Sequence, residues 1–304
     1  MLKKYSQIIF VVLLLLSLFP FVTGPVALLM GLSFAVIVGN PFIDKTRKKT
    51  HQLLQASVVG LGFGMNASVA LQAGSHGIWF TIAGIALTFF LGFIISRLLK
   101  INSKTSYLIS AGTAICGGSA IAAVAPIIDA KSEDTSVSLG VVFLLNSIAL
   151  FIFPFIGHFF NLSQQQFGLW SAVAIHDTSS VVGAASQYGK EALAVATTIK
   201  LTRALWIIPV SLVSAFFFRK EIKHIKIPWF IFWFFIAMML NTFIPQAQDA
   251  FHIIYLVARQ GLVLTLFLIG ANLSPATLKS VGVRPLIMGV ILWIIISTAS
   301  FLAV

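Results

Sequence analysis

Residues 174–186 read AIHDTSSVVGAAS. A histidine, an aspartate, a threonine and three serines sit inside a chain that is 59% hydrophobic and only 9% charged. A soluble chain carries roughly a quarter charged residues. Apolar runs of about 18 or more residues recur from end to end, which marks transmembrane helices. A barrel would show period-two alternation in segments of about ten residues, and these runs are continuous. The fold class expected is an all-α polytopic membrane protein, one transmembrane domain over residues 1–304. The question is what five consecutive polar residues, His176 to Ser180, do in a seventh span near residues 165–186. On a regular helix they would wrap the whole circumference. Buried in protein or lining a cavity, they become tolerable.

The periodicity predicts about eleven transmembrane helices, near residues 6–22, 25–40, 51–72, 77–97, 106–128, 136–157, 165–186, 190–218, 227–245, 250–273 and 284–303. Lys3 and Lys4 before an apolar run resemble a signal peptide, but no small-residue cleavage site follows. The run reads as a retained first span. The formal charge is +12. On a soluble protein that would suggest nucleic acid; here the basic residues cluster in short loops and set topology. With the amino terminus inside, the inner loops carry Lys3, Lys4, Lys45, Arg47, Lys48, Lys49, Arg97, Lys100, Lys104, Arg219, Lys220, Lys223, Lys226, Lys279 and Arg284. The outer loops carry Lys131, Lys190 and most acids: Asp129, Glu133, Asp134, Glu191 and Asp249. The carboxyl terminus then lies outside a bacterial inner membrane.

Setting the first span aside leaves two inverted five-helix repeats, residues 25–157 and 165–303. The fifth span holds GTAICGGSAIAAVAP (112–126) and the tenth LIGANLSP (268–275). Glycine, a small polar residue and proline in matching spans point to broken helices and a midplane site. The bland alternative is close helix packing, where small residues are common.

Asp177, Lys200, Arg203 and Arg259 are ionisable residues inside spans. Such residues cost about 2.5 kcal/mol or more and normally face a cavity or a partner. Lys200 and Arg203 share a helix face with Thr197. Asp177 supplies one negative charge against two positive ones. A buried net positive charge calls for a counter-anion, and arginine's planar fork suits an oxyanion. The structural alternatives are an interhelical salt bridge and, for Lys200, a side chain reaching to the surface. The candidate substrate-binding set is His176, Asp177, Thr178, Ser179, Ser180, Lys200, Arg203, Thr113, Cys116, Gly117, Gly118, Ser119 and Asn272. No metal or cofactor is expected. The single cysteine excludes an internal disulfide and a cysteine-rich metal site. No phosphate-binding glycine loop is present, and the candidate set's one His, one Cys and one Asp supply neither a zinc set nor a carboxylate pair. An enzyme is not expected.

The stretch AIHDTSSVVGAASQYGKEALAVATTIKLTRALWIIPV (174–210), with GTAICGGSAIA (112–122) upstream, resembles the YeiH-type family of bacterial membrane proteins, which carry the label of sulfate exporters. The family is similar to the superfamily of sodium/proton antiporters and bile-acid symporters. The resemblance implies two inverted five-helix repeats with crossing, broken helices at Gly112–Ser119 and Gly270–Ser274. Superfamily members often place an acid near the crossing; here the buried acid, Asp177, lies in another span. The expectation is a secondary transporter of a small anion, sulfate or a related sulfur-containing anion. The alternative is a proton- or sodium-coupled carrier of another solute, with Asp177 and His176 as relay. Expected partners are the anion, a coupling proton or sodium ion, and lipid; a homodimer stays open.

Overall fold

The computed structural model describes residues 5–19, 21–65, 67–218, 229–272 and 282–304. Among them every regular element is a helix: α1 (Ser6–Leu16), α2 (Gly24–Ile37), α3 (Ile43–Gly62), α4 (Ala67–Leu98), α5 (Ser103–Ala114), α6 (Gly118–Val124), α7 (Ser132–Phe159), α8 (Gln164–Ala174), α9 (Thr178–Tyr188), α10 (Lys190–Ala204), α11 (Ile207–Phe217), α12 (Trp229–Phe243), α13 (Gln248–Asn272) and α14 (Val283–Phe301). Five described stretches are long and apolar enough to cross a membrane: Thr81–Leu98, Ser132–Phe159, Lys190–Phe217, Pro245–Asn272 and Val283–Phe301. The chain divides into two compact units. One comprises Met1–Ser68 and Trp229–Leu278, the other Val69–Pro228 and Lys279–Val304.

In the first unit, α2 and α13 pack backbone to backbone. A Cβ on Gly31 would collide with the Phe267 carbonyl, and one on Gly270 with the Leu28 carbonyl. Phe10 closes this core against Phe34 and Phe267, with ring centroids 5.7 and 5.6 Å away. The break expected at Gly270–Ser274 is therefore not found where it can be seen: α13 is continuous through Gly270 to Asn272. Gly270 serves close helix approach, as small residues do at membrane helix contacts. Ser274 lies outside the described residues.

The second unit overturns two expected spans. α5 and α6 form a hairpin. Lys104 Nζ donates to the Asp129 carbonyl at 2.6 Å, and Thr105 Oγ1 to Asp134 Oδ1 at 2.6 Å. The first turn of α5 thus lies beside the chain that leaves α6. Near the tip the arms face each other, since a Cβ on Gly112 would sit 2.9 Å from Ile121 Cδ1. α7 then runs parallel to α5: Ser138 Oγ donates to the Thr105 carbonyl, and Ile109 packs with Val141 and Leu145.

α8 and α9 form a second hairpin. Tyr188, at the end of α9, donates its hydroxyl to the Leu162 carbonyl at 2.6 Å and stacks on Phe167 at 3.8 Å. α10 runs parallel to α8. Gln164 Oε1 accepts from Glu191 N at their start, and Lys200 Nζ reaches the Ile175 carbonyl at their end.

The hairpins open at opposite ends of α7. Its start carries Asp134, which holds the first hairpin, and near its end His158 stacks on Tyr188 of the second at 4.4 Å. At 1.5 Å per residue α7 is about 42 Å long, while the hairpin arms, helices of twelve, seven, eleven and eleven residues, reach about 10–18 Å. α7 is thus long enough for a hydrocarbon core of about 30 Å, and each hairpin arm is much shorter than that. The fifth and seventh predicted spans are these hairpins. Two short apolar arms add up to the length of one span, which is why they read as crossings.

Candidate functional site

The tip of the first hairpin is Ile115–Gly117. Gly117 has φ +64 and ψ −125, a conformation that L side chains rarely adopt. A Cβ there would stand 3.2 Å from Val142 Cγ1 and 3.3 Å from both Cα and Cβ of Asp177. The tips of the two hairpins therefore touch at Gly117 and Asp177. Gly117→Ala is expected to cost about 1 kcal/mol or more from backbone conformation, before it presses on Asp177. A thermal melt of the purified variant checks this; an unchanged midpoint would mean that the tip relaxes freely.

The tip of the second hairpin is Ile175–Asp177, both end residues being extended. Asp177 is the N-cap of α9: its carboxylate accepts from Ser179 N at 3.0 Å and from the Ser179 hydroxyl. This answers why the polar run sits in oil. Aspartate and the hydroxyls that follow it end one helix arm and start another. The Asp177 carboxylate thus bonds its own helix start. The hydrogen bonds of Lys200 and Arg203 go instead to backbone carbonyls.

Lys200 is 0% and Arg203 1% exposed. Lys200 Nζ donates to the carbonyls of Ile175 (2.7 Å) and Ala172 (3.4 Å). Arg203 Nη1 donates to Ala172 and Val173, at 3.2 and 3.0 Å, and Nη2 to Ala114 at 2.6 Å. Ala114 ends α5 and Ala174 ends α8. The last carbonyls of a helix lack intrahelical partners and carry about half a negative charge. The two buried cations meet that need for both hairpins at once.

Several polar atoms around the tips have no partner in the structure: Thr113 Oγ1 on α5, Asn146 Nδ2 on α7, both ring nitrogens of His176, Thr197 Oγ1 and Thr198 Oγ1 on α10, and Arg203 Nε. Buried polar groups are paired in the great majority of cases, so this many exceptions ask for an explanation. Asn146 was not among the sequence-derived candidates. Its Oδ1 accepts from His176 N at 3.1 Å and from Asp177 N at 3.2 Å. The signal that could have found it is a lone amide in the apolar run 139–157.

The structure brings together His176, Asp177, Thr178, Ser179, Ser180, Lys200, Arg203, Thr113, Cys116 and Gly117 on the tips and the helices that hold them. Gly118 stands half-buried at the start of α6 against Phe143, and Ser119 is exposed. Asn272 belongs to the first unit. There its Oδ1 accepts from Thr46 Oγ1 at 2.6 Å and Asn40 Nδ2 at 2.9 Å, and its Nδ2 donates to Thr50. Arg259 is exposed on α13.

Residues 5–289 match the model of a family described as "Conserved hypothetical protein 698". UPF0324 membrane proteins of Bdellovibrio bacteriovorus and Shewanella oneidensis are 54% and 48% identical to this chain. The alignments cover 99% and 98% of it, and 94% and 95% of those proteins. The chain belongs to the UPF0324 family. A relative from Bacteroides thetaiotaomicron is 54% identical over 92% of this chain and 85% of its own. The YeiH-type resemblance fits this membership, and the relatives' shared name makes the family one of membrane proteins. No solved structure matches the chain.

Proposed function

We propose that this UPF0324 member is a secondary transporter of a small oxyanion, sulfate or a related sulfur-containing anion, which it moves across the bacterial inner membrane by alternating access. The observation that carries the reading is the set of buried, partnerless polar atoms on the hairpin tips and on the helices that hold them. A tip where two hairpins meet half-way along a membrane-length helix is a place for a solute, because irregular backbone at that depth is tolerated where it lines a cavity. The sign of the solute follows from charge. Each hairpin brings one helix C-terminus and one helix N-terminus to the tip, and their partial charges offset each other. Two buried basic side chains, Lys200 and Arg203, against one carboxylate then leave the tips with an excess of positive charge. A bound anion offsets it.

The amino terminus inside and the carboxyl terminus outside remain the orientation we favour, on the basic inner loops. Uptake of labelled sulfate, sulfite and thiosulfate into proteoliposomes tests the function; no uptake of any of them, against empty liposomes, rejects it.

Asp177 favours a coupled version of the same reading. It is half-buried at the tip, next to fully buried neighbours, and an acid at that depth is a proton or sodium site by default. Asp177→Asn separates its two roles. Asparagine caps a helix as well as aspartate does, so the hairpin stays and only the charge goes. Transport is expected to fall at least about tenfold, or 1.4 kcal/mol in barrier terms. A rate unchanged between pH 5 and 8 would leave Asp177 as a cap alone.

A further inference from the structure

The amide of Asn146 has two ends with different fates. It sits near the midpoint of α7, 3% exposed. Two independent backbone donors, His176 N and Asp177 N, point at one of its atoms, which fixes that atom as the oxygen. The nitrogen is thereby committed to the other side, where it has no acceptor. Had the sequence needed only an acceptor for the hairpin tip, a group without two idle donors would serve. A second idle donor is present on the same set of elements: Arg203 Nε lacks an acceptor while both its Nη atoms are engaged. Idle donors on two helices that hold one tip call for a ligand rich in acceptors, which an oxyanion is and a metal cation is not.

We propose that Asn146 is a ligand-binding residue, its Nδ2 donating to an oxygen of the bound oxyanion while its Oδ1 holds the second hairpin's tip. One side chain then couples occupancy to the position of Asp177 and His176. The proposal rests on the oxyanion reading above and adds to it the residue that senses the ligand.

Asn146→Asp is the sharp variant. It keeps an oxygen for both backbone N–H groups and replaces the idle donor with a second negatively charged acceptor, which also cancels the net positive charge of the tips. The experiment is titration of the full-length protein in detergent with sodium sulfate, sulfite and thiosulfate at constant ionic strength, followed by thermal shift and calorimetry. Wild type is expected to bind at least one of the three. Asn146→Asp is expected to weaken that binding by about a hundredfold or more, while the ligand-free melting temperature stays close to wild type. If that variant does not fold, Asn146→Ser is read in the same assay, because one hydroxyl cannot serve both the tip and the anion. Wild type binding none of the three anions rejects the oxyanion reading and this proposal with it. Wild type binding, with either folded variant within about threefold of it, overturns the role of Asn146 and leaves the transport reading standing.

Discussion

A cysteine placed at Glu133 is expected to react with an impermeant maleimide from the same face of the membrane as one at Lys100, and a cysteine at Ser163 only from the opposite face. The background needs Cys116 replaced by alanine. Eleven successive crossings demand the reverse at both Glu133 and Ser163, so the outcome is all or none. The hairpin geometry dictates the expected result. Lys104, four residues past Lys100, holds the Asp129 carbonyl, and Asp134 holds Thr105, so the chain after α6 has come back to where α5 began. The far end of α7 stacks on Tyr188, which returns to Leu162. Cysteines at Glu191 and Asp249 do not discriminate, because both readings place them on one face. Labelling of Glu133 from the face opposite Lys100 would mean that α5 and α6 cross.

That insensitivity explains how one charge pattern can agree with two different span counts. Each misread hairpin inverts every loop after it. Two of them, with only α7 between, cancel. The basic residues of 45–49 and 97–104 precede the first hairpin and those of 219–226 follow the second, so both groups keep their side. The loops in between, near 129–134 and 158–163, were the ones at stake. They carry Lys131 and several acids, and acids contribute little to orientation.

The helical class was legible from the apolar runs, and α7, α10 with α11, α13 and α14 fall where those runs lie. The sequence also singled out Asp177, Lys200 and Arg203, because an aspartate and two basic residues in oil are costly wherever they sit, and the structure places them on the hairpin tips and the helix beside them. What was not legible is the use made of each small residue. Gly117 and Gly270 stand in similar company, glycine with a small polar residue and proline nearby. Gly117 supplies a positive φ at a tip, and Gly270 lets α13 touch the α2 backbone. Sequence shows the absence of a side chain without showing which consequence is needed. The partners of the cations were hidden for a related reason: they are carbonyls, which every residue carries.

Those carbonyls lead to the second large effect. Arg203→Ala is expected to lower the melting temperature of the ligand-free protein, before any anion is added. The guanidinium serves the Ala114 carbonyl with one nitrogen and the Ala172 and Val173 carbonyls with the other, so it ties the ends of α5 and α8 together. Removing it leaves the Ala114 and Val173 carbonyls unpaired, while Ala172 keeps its longer contact with Lys200. At about 1 kcal/mol or more for each, the loss is about 2 kcal/mol at the low end. For a chain of this size that is a fall of roughly 4 °C or more. Arg203→Lys is expected to recover only part of it, since one ammonium on a flexible stem lacks the fork that reaches both hairpins. The comparison separates two roles that an anion-binding assay alone would merge. If Arg203 only held the anion, its loss would spare the ligand-free protein and abolish the anion-dependent rise in melting temperature. If it only held the hairpins, the ligand-free protein would weaken and the surviving fold would still respond to anion. The idle Nε beside two engaged Nη atoms predicts both losses together. An Arg203→Ala protein that melts like wild type without ligand would show that the two hairpin ends do not depend on it.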